Sequence, residues 1–182
     1  MVEGAPIPAH FTTYTDEANL FSISYPADWE LALWAIEDVE QFAKELIESI
    51  ESGLPLERAS VIFIAGLHTE IGFSPNVNIG VESLPGVGWT LDEVVEASFQ
   101  TVKDLLEDYR EFSRVKTTIG GREAVIVEWA ATAPSVGRLH VLMMTTLVGK
   151  TIWVVTCTPE SGKFDQSEDD FYAIVRSLRI LK

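Results

Sequence analysis

Basic residues are scarce in this chain. Its 182 residues hold 13 Lys and Arg against 28 Asp and Glu, a net charge of −15. The deficit lies mostly in the first half: residues 1–91 carry 14 acids against only Lys44 and Arg58, a net of −12, while residues 92–182 carry 14 against 11, a net of −3. A surface of this sign repels phosphate backbones and anionic lipid, which argues against nucleic acid and membrane surfaces and leaves a basic protein partner open. Cysteine is nearly absent as well. Cys157 alone cannot close an internal disulfide, and within Ile152-Trp-Val-Val-Thr-Cys157 it reads as a small buried hydrophobe. Three histidines, His10, His68 and His140, stand without a second histidine or cysteine at ligand spacing, so neither a metal nor a cofactor is expected.

Long apolar runs are missing too. The richest region, Leu139 to Cys157, is interrupted by Gly149-Lys150 and threaded with threonine, so it reads as two strands and not as a transmembrane segment. Met1 to Pro8 lacks the basic start and apolar centre of a signal peptide, so the protein is either cytoplasmic or seen without a removed leader; the second is the expectation.

The motifs of common chemistry fail one by one. Gly149-Lys150-Thr151 ends like a phosphate-binding loop, but Met144 stands where its first glycine belongs and the run lies between strands. Gly86-Val87-Gly88 precedes a capped helix without a further glycine fingerprint. No Gly-x-Ser-x-Gly elbow exists, and Ser74 and Ser135 sit in proline loops without an evident base. Asp165, Glu168, Asp169 and Asp170 lack the spacing of a calcium loop and suit a helix start, where acids oppose the macrodipole.

What remains is a strongly patterned globular sequence, 47% apolar, sized for one domain over residues 1–182. Phe21, Ile23 and Tyr25 alternate with Ser22 and Ser24 until Pro26 ends the ladder and Trp29 restarts the apolar run. With Phe11 to Tyr14 this predicts a hairpin whose turn is Asp16-Glu-Ala-Asn19, and Trp29 to Ala35 is a third strand candidate. Ile36, Val39, Phe42, Leu46 and Ile50 mark an amphipathic helix closed by Gly53 and Pro55. Its other side carries Glu37, Asp38, Glu40, Glu45, Glu48 and Glu51.

Ser60 to Ala65 and Thr151 to Thr158 are apolar on both alternations, as strands covered on both faces are. Between Ser60–Ala65 and the alternating strand Asn76 to Ser83 runs an unusually apolar loop, Gly66 to Pro75. Thr90-x-x-Glu93 is a capping box opening a long helix whose stripe extends to Tyr109. Phe112–Ile119, Glu123–Thr132 and Arg138–Val148 read as further strands, with Gly120-Gly121 and Gly149-Lys150 as hairpin turns. Ser167-x-x-Asp170 is expected to cap a final short helix with the stripe Phe171, Ile174, Val175 and Leu178. Hairpins imply an antiparallel sheet and two-faced strands imply helices on both sides, so the expected fold is an α/β/α sandwich around a central antiparallel sheet.

The opening Phe21-Ser-Ile-Ser-Tyr-Pro-x-x-Trp29 corner and the closing Phe171-x-x-Ile-Val-x-Ser-Leu-Arg179 resemble the PsbP/Mog1-like superfamily. The intervening order agrees, and residues 36–58 look like an addition to the common core. That resemblance implies the same fold and a non-enzymatic module that binds a protein partner or larger assembly, here expected in a bacterial envelope, where some members are lipoproteins. The alternatives are a small-ligand or metal-binding module using the loop around His68 and Glu70, and a hydrolase whose triad is assembled from distant residues. The residues singled out as ligand or interface candidates are His68, Glu70 and Trp89, together with Glu40, Glu45 and Glu48 of the acidic helix face.

Overall fold

The computed structural model of the protein describes residues 6–32, 58–67, 75–86, 88–133, 137–160 and 162–181. The expected helix over 36–50, with Glu40, Glu45 and Glu48, and the loop positions His68 and Glu70 lie outside the described residues. The elements, in chain order, are β1 (Phe11–Asp16), β2 (Phe21–Pro26), β3 (Glu30–Leu31), β4 (Arg58–Gly66), β5 (Asn76–Ser83), α1 (Leu91–Leu105), β6 (Glu107–Ile119), β7 (Arg122–Ala133), β8 (Gly137–Val148), β9 (Thr151–Thr158), α2 (Phe164–Ser177) and β10 (Arg179–Ile180). The protein is mixed α/β, and every described strand pair is antiparallel.

The strands form two sheets where the sequence suggested one. Seven lie in the order β3-β4-β5-β9-β8-β7-β6, and β1, β2 and β10 make a separate three-stranded sheet. The hairpin that opens the chain forms as expected, with the Asp16 carboxylate accepting from the backbone N–H of Asn19 at 2.8 Å to hold the turn. It is not an edge of the main sheet. Phe21, Ile23 and Tyr25 turn instead onto Phe63 and Trp153 of that sheet and onto Phe171, Ile174 and Val175 of α2.

Alternate residues of the central strands go to different clusters. Ala124 and Ile126 of β7, Leu142 and Met144 of β8, and Trp153, Val155 and Cys157 of β9 pack with α2 and the small sheet. Val125, Val127 and Trp129 of β7 with Val141 and Met143 of β8 pack instead with Val95 and Phe99 of α1. Because successive strand side chains point to opposite faces, these strands carry apolar residues on both alternations, as in Ala124–Val127 and Val141–Met144. Trp153 is 5% exposed, as its place on a two-faced strand requires.

Three boundaries differ from expectation. Helix α1 begins at its capping box but ends at Leu105, and Tyr109 belongs to β6. Asp108 takes φ 52°, a left-handed conformation that aspartate tolerates and that turns the chain from helix into strand. Tyr109 still reaches the α1 cluster, stacking on Trp129 at 6.0 Å, so its apolar character was real but its period was misassigned. Helix α2 starts at Phe164, three residues before Ser167; Lys163 is the cap residue and makes no side-chain capping bond. The burial of Phe164, 3% exposed, anchors that extra turn. Of the strand expected over 29–35, the described part is the two-residue β3.

Candidate interaction surface

The β6 strand is the long edge of the seven-stranded sheet, the two-residue β3 being the other, and the residues that distinguish it follow from that position. Its pairing with β7 shifts register twice, between Glu107 and Arg110 and between Glu111 and Ser113, and then runs unbroken from Ser113↔Glu128 to Ile119↔Arg122. The turn after it is Gly120-Gly121, with φ 56° and 78°. Two positive φ values in a two-residue loop make a type I′ hairpin, whose flanking residues exchange both backbone hydrogen bonds. Counting back from Ile119, the main chains of Thr117, Val115 and Ser113 bond to β7. Those of Thr118, Lys116 and Arg114 point away from the sheet, and no described strand pairs with that side.

The side chains of this stretch divide by face. On the α1 face the Arg114 guanidinium lies 5.1 Å over the Phe99 ring and pairs with Glu96 and with Glu111, and Lys116 Nζ meets Asp92 Oδ2 at 2.5 Å. The Arg114 guanidinium, donating to Glu111, holds that carboxyl below the usual range. A cleft of about 330 Å³ opens beside Lys116, with Asp92, Thr118 and Glu123 in its walls. On the opposite face Val115 is 48% exposed and Phe112, in the bulge, 42%. They are the two large apolar side chains of β6 left open to solvent, and the Arg110 guanidinium sits 4.9 Å over the Phe112 ring.

Behind Phe112 lies a polar pair in an aromatic setting. His140 Nε2 donates to Glu128 Oε1 at 2.9 Å, and its imidazole stacks on Phe164 at 3.8 Å with Phe112 at 4.9 Å on a tilt. His140 is therefore a hydrogen-bonded sheet residue. Ser113 is directly opposite Glu128 in register, yet its buried hydroxyl has no hydrogen-bond partner. Ser113 and His140 both neighbour Glu128, but without the hydroxyl–imidazole bond that would activate a nucleophile. Among the described residues no three His, Cys, Asp or Glu converge as a metal would require. Burial pushes the Cys157 thiol up, away from reactive thiolate.

Of the ligand or interface candidates read from sequence, only Trp89 is among the described residues. Trp89 is half-buried against Leu84, Val94 and Ile152 where β5 passes into α1. The β4–β5 connection is closed at its described ends by Leu67 N–H donating to Pro75 O at 3.0 Å. A Cβ at Gly66 would come within 2.7 Å of that same carbonyl, so only glycine fits the closure. β9, β8 and β7 separate β5 from β6, so the closing residues Leu67 and Pro75 lie away from the β6 edge. Sequence reading did not single out Phe112 or Val115. The signal was present in Arg114 and Lys116, cations at alternate positions of a strand, which mark an edge.

No family model matches the chain and no curated protein matches it. Solved structures do. Cyanobacterial PsbP (CyanoP) from Synechocystis sp. PCC 6803 superposes with TM-score 0.62 at 14% identity, over 99% of this chain and 97% of that one. LpqN of Mycobacterium tuberculosis, involved in cell envelope biogenesis, gives 0.59 at 12% identity, over 95% and 92%. A Pseudomonas aeruginosa protein of unknown function, PA94, described as a putative regulator, gives 0.54 at 13% identity, over 93% and 96%. The fold is thus PsbP/Mog1-like.

Proposed function

We propose that this protein is a non-enzymatic interaction module that binds a protein partner outside the cytoplasm. The observation that carries the reading is the β6 edge: exposed Phe112 and Val115 beside Arg110, on a strand whose outer main-chain groups are unpaired by any described strand. Aromatic and arginine side chains dominate the energetics of protein interfaces, and a long open edge is a ready template for another chain. We read the architecture as an α/β/α sandwich, a rigid support for such an edge. The envelope setting draws support from LpqN, a protein of the same fold involved in cell envelope biogenesis. No helix of the described residues is long and apolar enough to cross a membrane. The acidic stretch with Glu40, Glu45 and Glu48 is a second proposed contact, for a basic surface.

The test is recovery of the native partner by affinity purification from cells of the source organism, with identification by mass spectrometry. Wild-type protein is expected to retain one specific partner that the double variant Phe112→Ser, Val115→Ser loses while staying folded. Turnover on ester, phosphate or peptide panels, abolished by Ser113→Ala or His140→Ala, would replace this reading with catalysis.

A further inference from the structure

The chemistry of the β6 edge specifies its occupant, on the reading that the protein binds a protein partner. We infer that β6 accepts an extended segment of another protein as an eighth strand of the sheet, with acidic and apolar residues alternating along it. The main-chain N–H and C=O groups of Arg114, Lys116 and Thr118 face outward by the hairpin geometry, and none bonds to a described turn, loop or cap. Strand addition satisfies such groups, and side chains then select the partner by face.

The two faces ask for different residues. An added strand places alternate side chains beside Arg114 and Lys116 on the α1 face, where its carboxylates can exchange with the exposed Asp92 and Glu96. Its intervening side chains lie beside Val115 and Phe112 on the other face, where apolar groups cover surface that is 48% and 42% exposed. Two of the cations' present partners yield easily, since the Asp92 and Glu96 side chains are 62% and 68% exposed. Glu111, 30% exposed and bonded twice to Arg114, stays, so Lys116 is the cation an incoming carboxylate meets.

A second copy of the chain is a poor occupant for the centre of this edge. In a two-fold antiparallel pairing that uses these outward groups, a register centred on 114, 115 or 116 opposes Arg114 to Arg114, Arg114 to Lys116, or Lys116 to Lys116. Like charges directly opposed across strands are destabilising. The same cations that refuse a copy of this edge attract an acidic strand.

The probe is a fluorescein-labelled peptide of alternating Glu and Val, compared by anisotropy with an alternating Lys and Val peptide and with a Glu and Val peptide N-methylated at every second residue. The expected result is saturable binding of the first alone, weakened about tenfold by Lys116→Glu. It is also lost in Lys116→Pro, which removes one outward N–H without touching the β7 ladder and is the kind of position where an edge tolerates proline. No binding at millimolar peptide, equal binding of the lysine peptide, or indifference to N-methylation overturns the inference, and N-methylation needs no variant to fold. A native partner that leaves the β6 amides unprotected would also overturn it while the protein-binding reading stands.

Discussion

Ser177 shows how one residue at the closing motif joins two parts of the fold. Its hydroxyl accepts from the Ser24 backbone N–H at 2.8 Å and donates to Ile174 O at 2.7 Å, tying the end of α2 to β2 in a fully buried setting. β10 pairs only with Phe21 and Ser22, so Ser24 has no strand neighbour on that side and relies on Ser177. Ser177→Ala leaves a buried donor unsatisfied and is expected to lower stability by about 1–3 kcal/mol in urea unfolding. Leu178, 2% exposed, then enters the core, which accounts for the Ser-Leu-Arg ending seen in the sequence. The hydrogen bond itself was not legible there, because it spans 153 positions. Glu82 makes the opposite case. Desolvation raises its carboxyl above the ordinary value of 4.5, so its ionised form is disfavoured in the folded state at neutral pH. Glu82→Gln is expected to raise Tm by roughly 2 °C at pH 7, and the gain should shrink as pH falls and the glutamate protonates in folded and unfolded chains alike.

At the scale of elements, local chemistry marked the start of α1 but not that of α2, where burial of Phe164 and not a Ser167 cap sets the boundary. The capping box forms as its spacing required: Glu93 N–H donates to Thr90 Oγ1 at 3.2 Å and Thr90 N–H donates to Glu93 Oε2 at 2.8 Å. The Thr90 backbone bond lowers the Glu93 carboxyl, so this contribution is complete at neutral pH. It is lost as acid titration passes below the ordinary 4.5 and through the lowered value. Thr90→Ala should cost about 1 kcal/mol at pH 7, measured by chemical unfolding. The end of α1 was misplaced because nothing local forbids helix at Tyr109; the turn depends on Asp108 adopting φ 52° and on the long pairing of β6 with β7. The assignment of outward and inward groups on β6 has its own check. In the free protein, the amides of Arg114, Lys116 and Thr118 should exchange at least about tenfold faster than those of Ser113, Val115 and Thr117 by NMR. Uniform protection along the strand would show that the edge is already covered.

For the whole molecule, the sequence carried the PsbP/Mog1-like fold because that fold rests on repeated packing patterns: two-faced strands, a capped helix, and an aromatic corner that buries Tyr25. It did not show that the opening hairpin leaves the main sheet to cover one of its faces, since alternation looks the same in either sheet. It pointed to β6 only through the cations at 114 and 116, because an edge is a property of strand order and not of any one strand. Charge is the other molecular-scale feature. If the acidic stretch is a second contact, Glu40→Lys, Glu45→Lys and Glu48→Lys together should weaken partner capture without unfolding the protein, and capture by the wild type should fall with salt. The most direct test of an interaction module built on the β6 edge is photo-crosslinking in the source organism. A benzophenone side chain would replace exposed Phe112, with exposed Glu17 in the β1–β2 turn as the control position. The account predicts one discrete protein adduct from position 112 and none from position 17. No adduct from position 112, or the same adducts from both, would contradict it.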